Sequence, residues 1–192
     1  MSPLGADWGV EPGEKELDFA CDHLAGDFDA AYFRGVTVQA SPATLFRWLC
    51  QLRVAPYSYD WIDNFGRRSP RRLTPGLENL AVGQTMMRIF DLVAFERDSR
   101  LTVRIKPRSS SVKLFGDVVV TYLIAPRGDG ACRLLAKLRI GYPRGLIGAL
   151  GRLALPPGDL VMMRRQLLNL KRLAEADRPV RITPASATPP RA

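Results

Sequence analysis

Between Tyr57 and Arg72 the chain places Tyr57, Tyr59, Asp60, Trp61, Asp63 and Asn64 just ahead of Arg67, Arg68, Arg71 and Arg72. Aromatic faces of this kind stack on a planar or apolar ligand, and a guanidinium group pairs in fork geometry with a carboxylate or phosphate. Gly66, Pro70, Pro75 and Gly76 break the region into loops, and functional side chains concentrate on loops held by rigid elements. Tyr57, Tyr59 and Trp61 are therefore read as the apolar wall of a ligand site. Arg67 or Arg68 reads an anionic or carbonyl group. A structural reading stands beside it, in which the arginines pair with Asp60 and Asp63.

Three more polar residues fall where a cavity could use them. Asp91 shares alternate parity with Met87, Ile89, Val93 and Phe95. If that face is inward, the carboxylate sits in an apolar wall, its pKa rises, and it can act as acid, base or hydrogen-bond donor. If Arg88 and Asp91 straddle a bulge, it faces water. Tyr122 and Tyr142 fall on inward parity and offer phenol hydroxyls, although core tyrosines capped at a sheet edge are common. The catalytic candidates are thus Asp91, Asp60, Tyr122 and Tyr142. No serine-nucleophile elbow, phosphate-binding loop or dinucleotide fingerprint occurs. His23, the single histidine, lies in an acidic stretch without triad partners, and Cys21, Cys50 and Cys132 are far apart. That pattern predicts no metal site, no disulfide framework and no cofactor.

The elements that must position these groups follow from periodicity. Val36 and Val38 alternate with Thr37 and Gln39 as in a half-buried strand. Ser41-Pro42 then supplies a helix cap and a first-turn proline, and Leu45, Phe46, Trp48, Leu49 and Leu52 recur at helical spacing. Ser58 to Asn64 fits a short second helix. Thr85 to Glu96 reads as one apolar strand. Leu101, Val103 and Ile105; Val118, Val120, Tyr122 and Ile124; and Cys132, Leu134, Ala136, Leu138, Ile140 and Tyr142 each mark one face of a later strand, with basic or polar residues between them. Such alternation predicts an antiparallel sheet with one solvated face. Turns are expected at Arg97-Asp98-Ser99 and Gly128-Asp129-Gly130. Pro156-Pro157-Gly158 reads as a stop and Asp159 as the cap of a last helix. That helix is striped by Leu160, Met163, Leu167, Leu170 and Ala174, with Arg165, Gln166, Asn169 and Arg172 opposite.

The net charge is +9, but it is unevenly placed. Up to Asp29 eight acidic residues face Lys15 alone, and the rest of the chain is strongly basic. Three zones follow: an acidic lead-in (1–30), a folded body (31–176) and a disordered proline-rich tail (177–192). The lead-in could lie across the basic body, with Leu17, Phe19 and Phe28 as anchors. The arginines recur singly along strands, so no nucleic-acid partner is expected. Gly145 to Leu155 is the most apolar stretch, and it is short and interrupted by Arg152. No stable membrane insertion is predicted, and a cytoplasmic location follows by default. The oligomeric state is not legible.

Taken in order, these elements predict an α+β fold: a curved antiparallel sheet wrapped around a long C-terminal helix, with two shorter helices after the first strand. The segments RGVTVQASPATLFRWL (34–49), APYSYDWIDNFGRRSPRRLTPGLENLAVGQ (55–84) and GDLVMMRRQLLNLKRLAE (158–175) resemble the START-like (SRPBCC) superfamily, and within it an actinobacterial subgroup. This is the helix-grip fold of polyketide cyclase/dehydratase-like and lipid-transport proteins. The resemblance covers Tyr32 to about Ala176. It implies a cavity between the concave sheet face and the last helix, lined by inward strand residues and by Met163 and Leu167. It also implies binding or carriage of a hydrophobic small molecule such as a lipid, polyketide or isoprenoid. A cyclase or dehydratase using a cavity carboxylate and tyrosine is the alternative, and a basic interaction module is a further one. The superfamily has no universal catalytic motif, so function must come from the site.

Overall fold

The computed structural model describes residues 5–64 and 66–177; the tail from Arg178 onward lies outside them. In chain order the elements are β1 (Asp7–Trp8), β2 (Ala30–Val38), α1 (Pro42–Cys50), α2 (Asp60–Asp63), β3 (Thr85–Met86), β4 (Phe90–Glu96), β5 (Arg100–Ile105), α3 (Ser110–Phe115), β6 (Asp117–Arg127), β7 (Ala131–Gly141) and α4 (Gly145–Ala176). The strands form one sheet in the order β1-β2-β7-β6-β5-β4-β3. Every pairing is antiparallel except β1 with β2. The architecture is the α+β helix grip: α1 and the C-terminal half of α4 pack on one face of the sheet.

Alternation places the core as expected. Leu101, Val103, Ile105, Val120, Tyr122, Ile124, Leu134, Ala136 and Ile140 turn toward α4 and are buried with Leu167, Leu170 and Ala174. Helix α1 begins as its sequence dictates: the Ser41 hydroxyl accepts the Thr44 amide at 3.2 Å, and Pro42 takes the first turn.

The opposite face of the sheet is not left to solvent. The lead-in crosses it, and Phe19 and Cys21 are buried against Val119 and Leu135 with Phe28, Phe33 and Leu123 around them. Its acids meet the basic residues of that face. Arg133 forks onto Glu14 at 2.6 and 2.7 Å, Arg127 reaches Glu11 at 2.6 Å, and Lys137 reaches Asp22 at 2.6 Å. The Lys137 ammonium also lies 5.3 Å from the Phe19 ring centroid, and the Arg139 guanidinium 4.2 Å from that of Phe28. Of the three expected anchors, Phe19 is buried and Phe28 partly so, whereas Leu17 is exposed. The solvated face predicted from alternation is thus corrected: the arginines alternate because they clamp an acidic strap.

Two further expectations change. The stretch 85–96 is not one strand: Met87 and Arg88 adopt φ of 45° and 67°, forming a left-handed turn between β3 and β4. The turn resets the parity of β4, so Leu92 faces the core, and a bulge lies between Leu92 and Ala94. The last helix does not start at Asp159. It begins at Gly145 and runs through Pro156 and Pro157, whose missing N–H groups remove two rungs of its hydrogen-bond ladder. Packing sustains that first half: a Cβ on Gly148 would stand 1.7 Å from the Pro143 carbonyl oxygen, so only glycine permits the approach. Among the described residues α4 is long and apolar enough, by length and composition alone, to cross a bilayer, which the interrupted Gly145–Leu155 run did not suggest. Its C-terminal half is nevertheless a core helix, buried at Met163, Gln166, Leu167, Leu170 and Ala174.

Candidate functional site

The Tyr57–Arg72 segment packs beside the C-terminal half of α4, and a cleft of about 340 Å³ opens between them. Tyr57 sets the geometry. It holds φ at 57°, a left-handed conformation that a bulky residue adopts only when its surroundings fix it. Its ring meets Trp48 edge-on, with centroids 6.2 Å apart, and its carbonyl accepts the Asn169 amide at 2.8 Å. Burial, with a smaller effect from the charge of Asp60, pushes the Tyr57 phenol up to about 12. Its hydroxyl and the Trp48 indole N–H are both buried without a hydrogen-bond partner among the described residues.

The walls combine both parts of the fold. Tyr59, Trp61, Arg68, Ser69, Pro70 and Arg71 come from the loop, and Arg165, Asn169 and Arg172 from α4. Trp61 is 75 % exposed, and the Arg165 guanidinium lies 5.8 Å from the Tyr59 ring centroid. The loop's acids do not neutralise its arginines. Asp60 accepts the Ser69 amide at 2.8 Å and the Ser69 hydroxyl at 2.5 Å, and Asp63 accepts the Ser58 hydroxyl. Burial raises the Asp63 carboxyl above its ordinary range against the pull of Ser58. Among the described residues none of the loop's arginines pairs with Asp60 or Asp63; serines hold these carboxylates, and Arg68, Arg71, Arg165 and Arg172 line the cleft together with Asp60.

Other predicted site residues lie elsewhere. Arg67 is exposed and does not line the cleft; its carbonyl accepts the Asn64 amide at 2.6 Å. Asp91 is not inward: the reset parity of β4 turns it to the outer face, 3.6 Å from the Lys106 ammonium, beside a second open cleft with Val93, Arg104 and Asp117. Tyr122, Met163 and Leu167 are core residues. The Tyr122 hydroxyl donates to Gln166 Oε1 at 2.6 Å, and Gln166 Nε2 donates to the Pro56 carbonyl at 2.6 Å. Gln166 is buried, not on the polar side of the helix as its sequence position suggested. Tyr142 pairs with the Tyr32 hydroxyl beneath Arg152. Asp60 and Asp91 thus do not converge with Tyr122 and Tyr142, which removes the carboxylate–tyrosine constellation proposed for a cyclase or dehydratase.

Two groups are not legible as site residues from the sequence. Arg165, Asn169 and Arg172 stand at i, i+4 and i+7, a shared helix face, but the sequence did not say which loop would meet it. Arg34, on the inward parity of β2, is fully buried and donates to Asp159 Oδ2 at 2.8 Å and to the Ala6 and Phe33 carbonyls. Burial pushes Asp159 up to about 6, against the opposing effect of Arg34.

No protein-family model and no curated sequence matches the chain. Several solved structures are similar in fold. One is a hypothetical protein from Helicobacter pylori, with 14 % identity and a TM-score of 0.53, covering 82 % of this chain and 95 % of that one. Another is a protein of Mesorhizobium loti, with 16 % identity and a TM-score of 0.50, covering 78 % and 99 %. A third, a solution structure from Thermobifida fusca, has 14 % identity and a TM-score of 0.50, covering 77 % and 95 %. At such identities the likeness is one of fold alone, an α+β helix grip.

Proposed function

We propose that this chain binds and carries a small amphipathic molecule, with an apolar or aromatic body and a carboxylate or phosphate head, in the cleft between the Tyr57–Arg72 loop and α4. One observation carries the reading. Arg68 and Arg71 from the loop and Arg165 and Arg172 from the helix face one cleft with Tyr59 and Trp61, while the loop's own carboxylates are engaged by serines. Cationic forks recognise an oxyanion and aromatic faces take the body. The helix-grip fold, a ligand-binding fold, is in keeping with it. Tyr122, Met163, Leu167 and Leu170, on the inner face that the resemblance assigned to the ligand, are buried in the core, and the proposed site lies beside them at the mouth of the grip.

Fluorescence titration of the wild type and of Trp61→Phe tests this, with fatty acids and aromatic carboxylates set against their alcohols. The acids should change the wild-type emission through Trp61. Arg172→Ala and Arg165→Ala should each weaken the acids by about tenfold or more, the scale of a lost charged hydrogen bond, and leave the alcohols alone. Arg67→Ala should have no effect. Equal binding of acids by wild type and both helix variants, or no binding by any ligand, would sink the proposal.

A further inference from the structure

The N-terminal half of α4 presents apolar side chains to solvent in a regular row. Leu146, Leu150, Leu153, Pro157 and Val161 follow at steps of four, three, four and four residues, and so share one face. Leu146 is 83 % exposed, Leu153 77 % and Leu150 67 %. The opposite side of the same segment carries Gly148 and Pro156, both buried. The row is therefore the outer face of a docked helix, and a helix bathed only in water would place polar residues there. Helix α3 packs beside α4 and adds an exposed leucine, Leu114.

The two segments that form this face carry charges of one sign. From Lys106 to Phe115 and from Pro143 to Gly158 there are Lys106, Arg108, Lys113, Arg144 and Arg152, and no acidic residue. Asp91 engages Lys106 and Asp29 engages Arg152; Arg108, Lys113 and Arg144 are exposed. Glu11, Glu14 and Asp22 of the lead-in are held on the far side of the sheet by Arg127, Arg133 and Lys137. An occupant must therefore be apolar opposite the leucines and anionic at the rim. A second copy of this chain satisfies the first requirement and fails the second, since it would set one cationic rim against another.

We propose that this face docks on the surface of an anionic lipid bilayer, with Leu146, Leu150, Leu153 and Leu114 entering the headgroup–acyl boundary and Arg108, Lys113 and Arg144 among the headgroups. An amphipathic helix with a basic margin binds in this way. The helix lies on the membrane and does not cross it, because its C-terminal half is buried in the protein core. The proposal is independent of the cleft, which sits on that C-terminal half.

Sedimentation with phosphatidylcholine vesicles, with and without phosphatidylglycerol, tests it on the full chain. The protein should pellet with the phosphatidylglycerol vesicles and stay in solution with phosphatidylcholine alone. Lys113→Gln and Arg144→Gln should each lower the partition coefficient about fivefold. The triple variant Leu146→Gln/Leu150→Gln/Leu153→Gln should lower it by at least about tenfold, with an unchanged circular dichroism melt because these side chains are exposed. Arg172→Ala should partition as wild type, which separates this test from that of the cleft. Failure to pellet with phosphatidylglycerol vesicles overturns the proposal, as does a triple variant that pellets like wild type. A wild-type dimer in sedimentation velocity that the triple variant dissolves assigns the face to a second copy and overturns it equally.

Discussion

Replacing Phe19 with alanine measures how firmly the lead-in is docked. The ring is 1 % exposed, meets Phe33 edge-on with centroids 6.0 Å apart, and lies under the Lys137 ammonium. Truncating a buried phenylalanine costs about 3–5 kcal/mol in transfer and cavity terms. The pocket lies under a surface strap that can settle into the gap, so the lower end applies, about 3 kcal/mol. With a urea dependence of roughly 2 kcal/mol/M for a domain of this size, the unfolding midpoint should fall by about 1.5 M. Urea titration followed by circular dichroism reads this directly. Leu17→Ala, at a side chain that is 40 % exposed, serves as the control and should change stability by less than about 0.5 kcal/mol. Raising the salt should weaken the exposed Glu11–Arg127 pair and leave the Phe19 effect intact. If Phe19→Ala and Leu17→Ala unfold at the same urea concentration, the strap does not pack on the sheet and the outer face is solvated after all.

Two other perturbations probe the interior. Gln166→Leu leaves the Tyr122 hydroxyl and the Pro56 carbonyl without their buried partner and should cost about 2–4 kcal/mol in the same assay; a midpoint equal to wild type would mean that both groups find other partners. Asp159 is held near 6 in the folded protein against 3.8 when free, so between those values the unfolded chain gives up its proton first and ionisation works against folding. The stability of wild type relative to Asp159→Asn should therefore fall by about 2 kcal/mol as pH rises from 4 to 7; paired urea titrations at the two pH values check it, and a constant difference would place the carboxyl at its ordinary pKa.

How much of this was legible depends on whether a local signal or a distant neighbour decides. The faces of β5, β6 and β7 follow from strict alternation, and α1 from Ser41-Pro42 and its apolar spacing. Met87 and Arg88 carry no glycine or asparagine to announce a left-handed turn, so the sequence leaves open the parity of β4 and with it the side on which Asp91 lies. Pro156-Pro157-Gly158 is a strong stop signal in isolation; the close seat of Gly148 on Pro143 overrides it, and no local pattern records that contact. The aromatic–arginine loop stood out by composition. Its partner face, Arg165, Asn169 and Arg172, was visible as a polar stripe, but only the packing of Tyr57 against Asn169 brings the two together. Eight acids at the start and single arginines on alternate strand positions were both visible as well, and their match across the sheet required the fold.

That match imposes an order on synthesis. Phe19 and Glu14 leave the ribosome early, yet Leu135 and Arg133, on which they dock, lie more than a hundred residues later. At ordinary elongation rates of about 5–20 residues per second, the gap lasts on the order of ten seconds. Throughout it the nascent chain trails an acidic segment with no surface to hold it, and the basic strands that follow emerge beside a tethered counter-charge at high local concentration. Closing the outer face is therefore a late step, open only after the strands that the segment covers have been made.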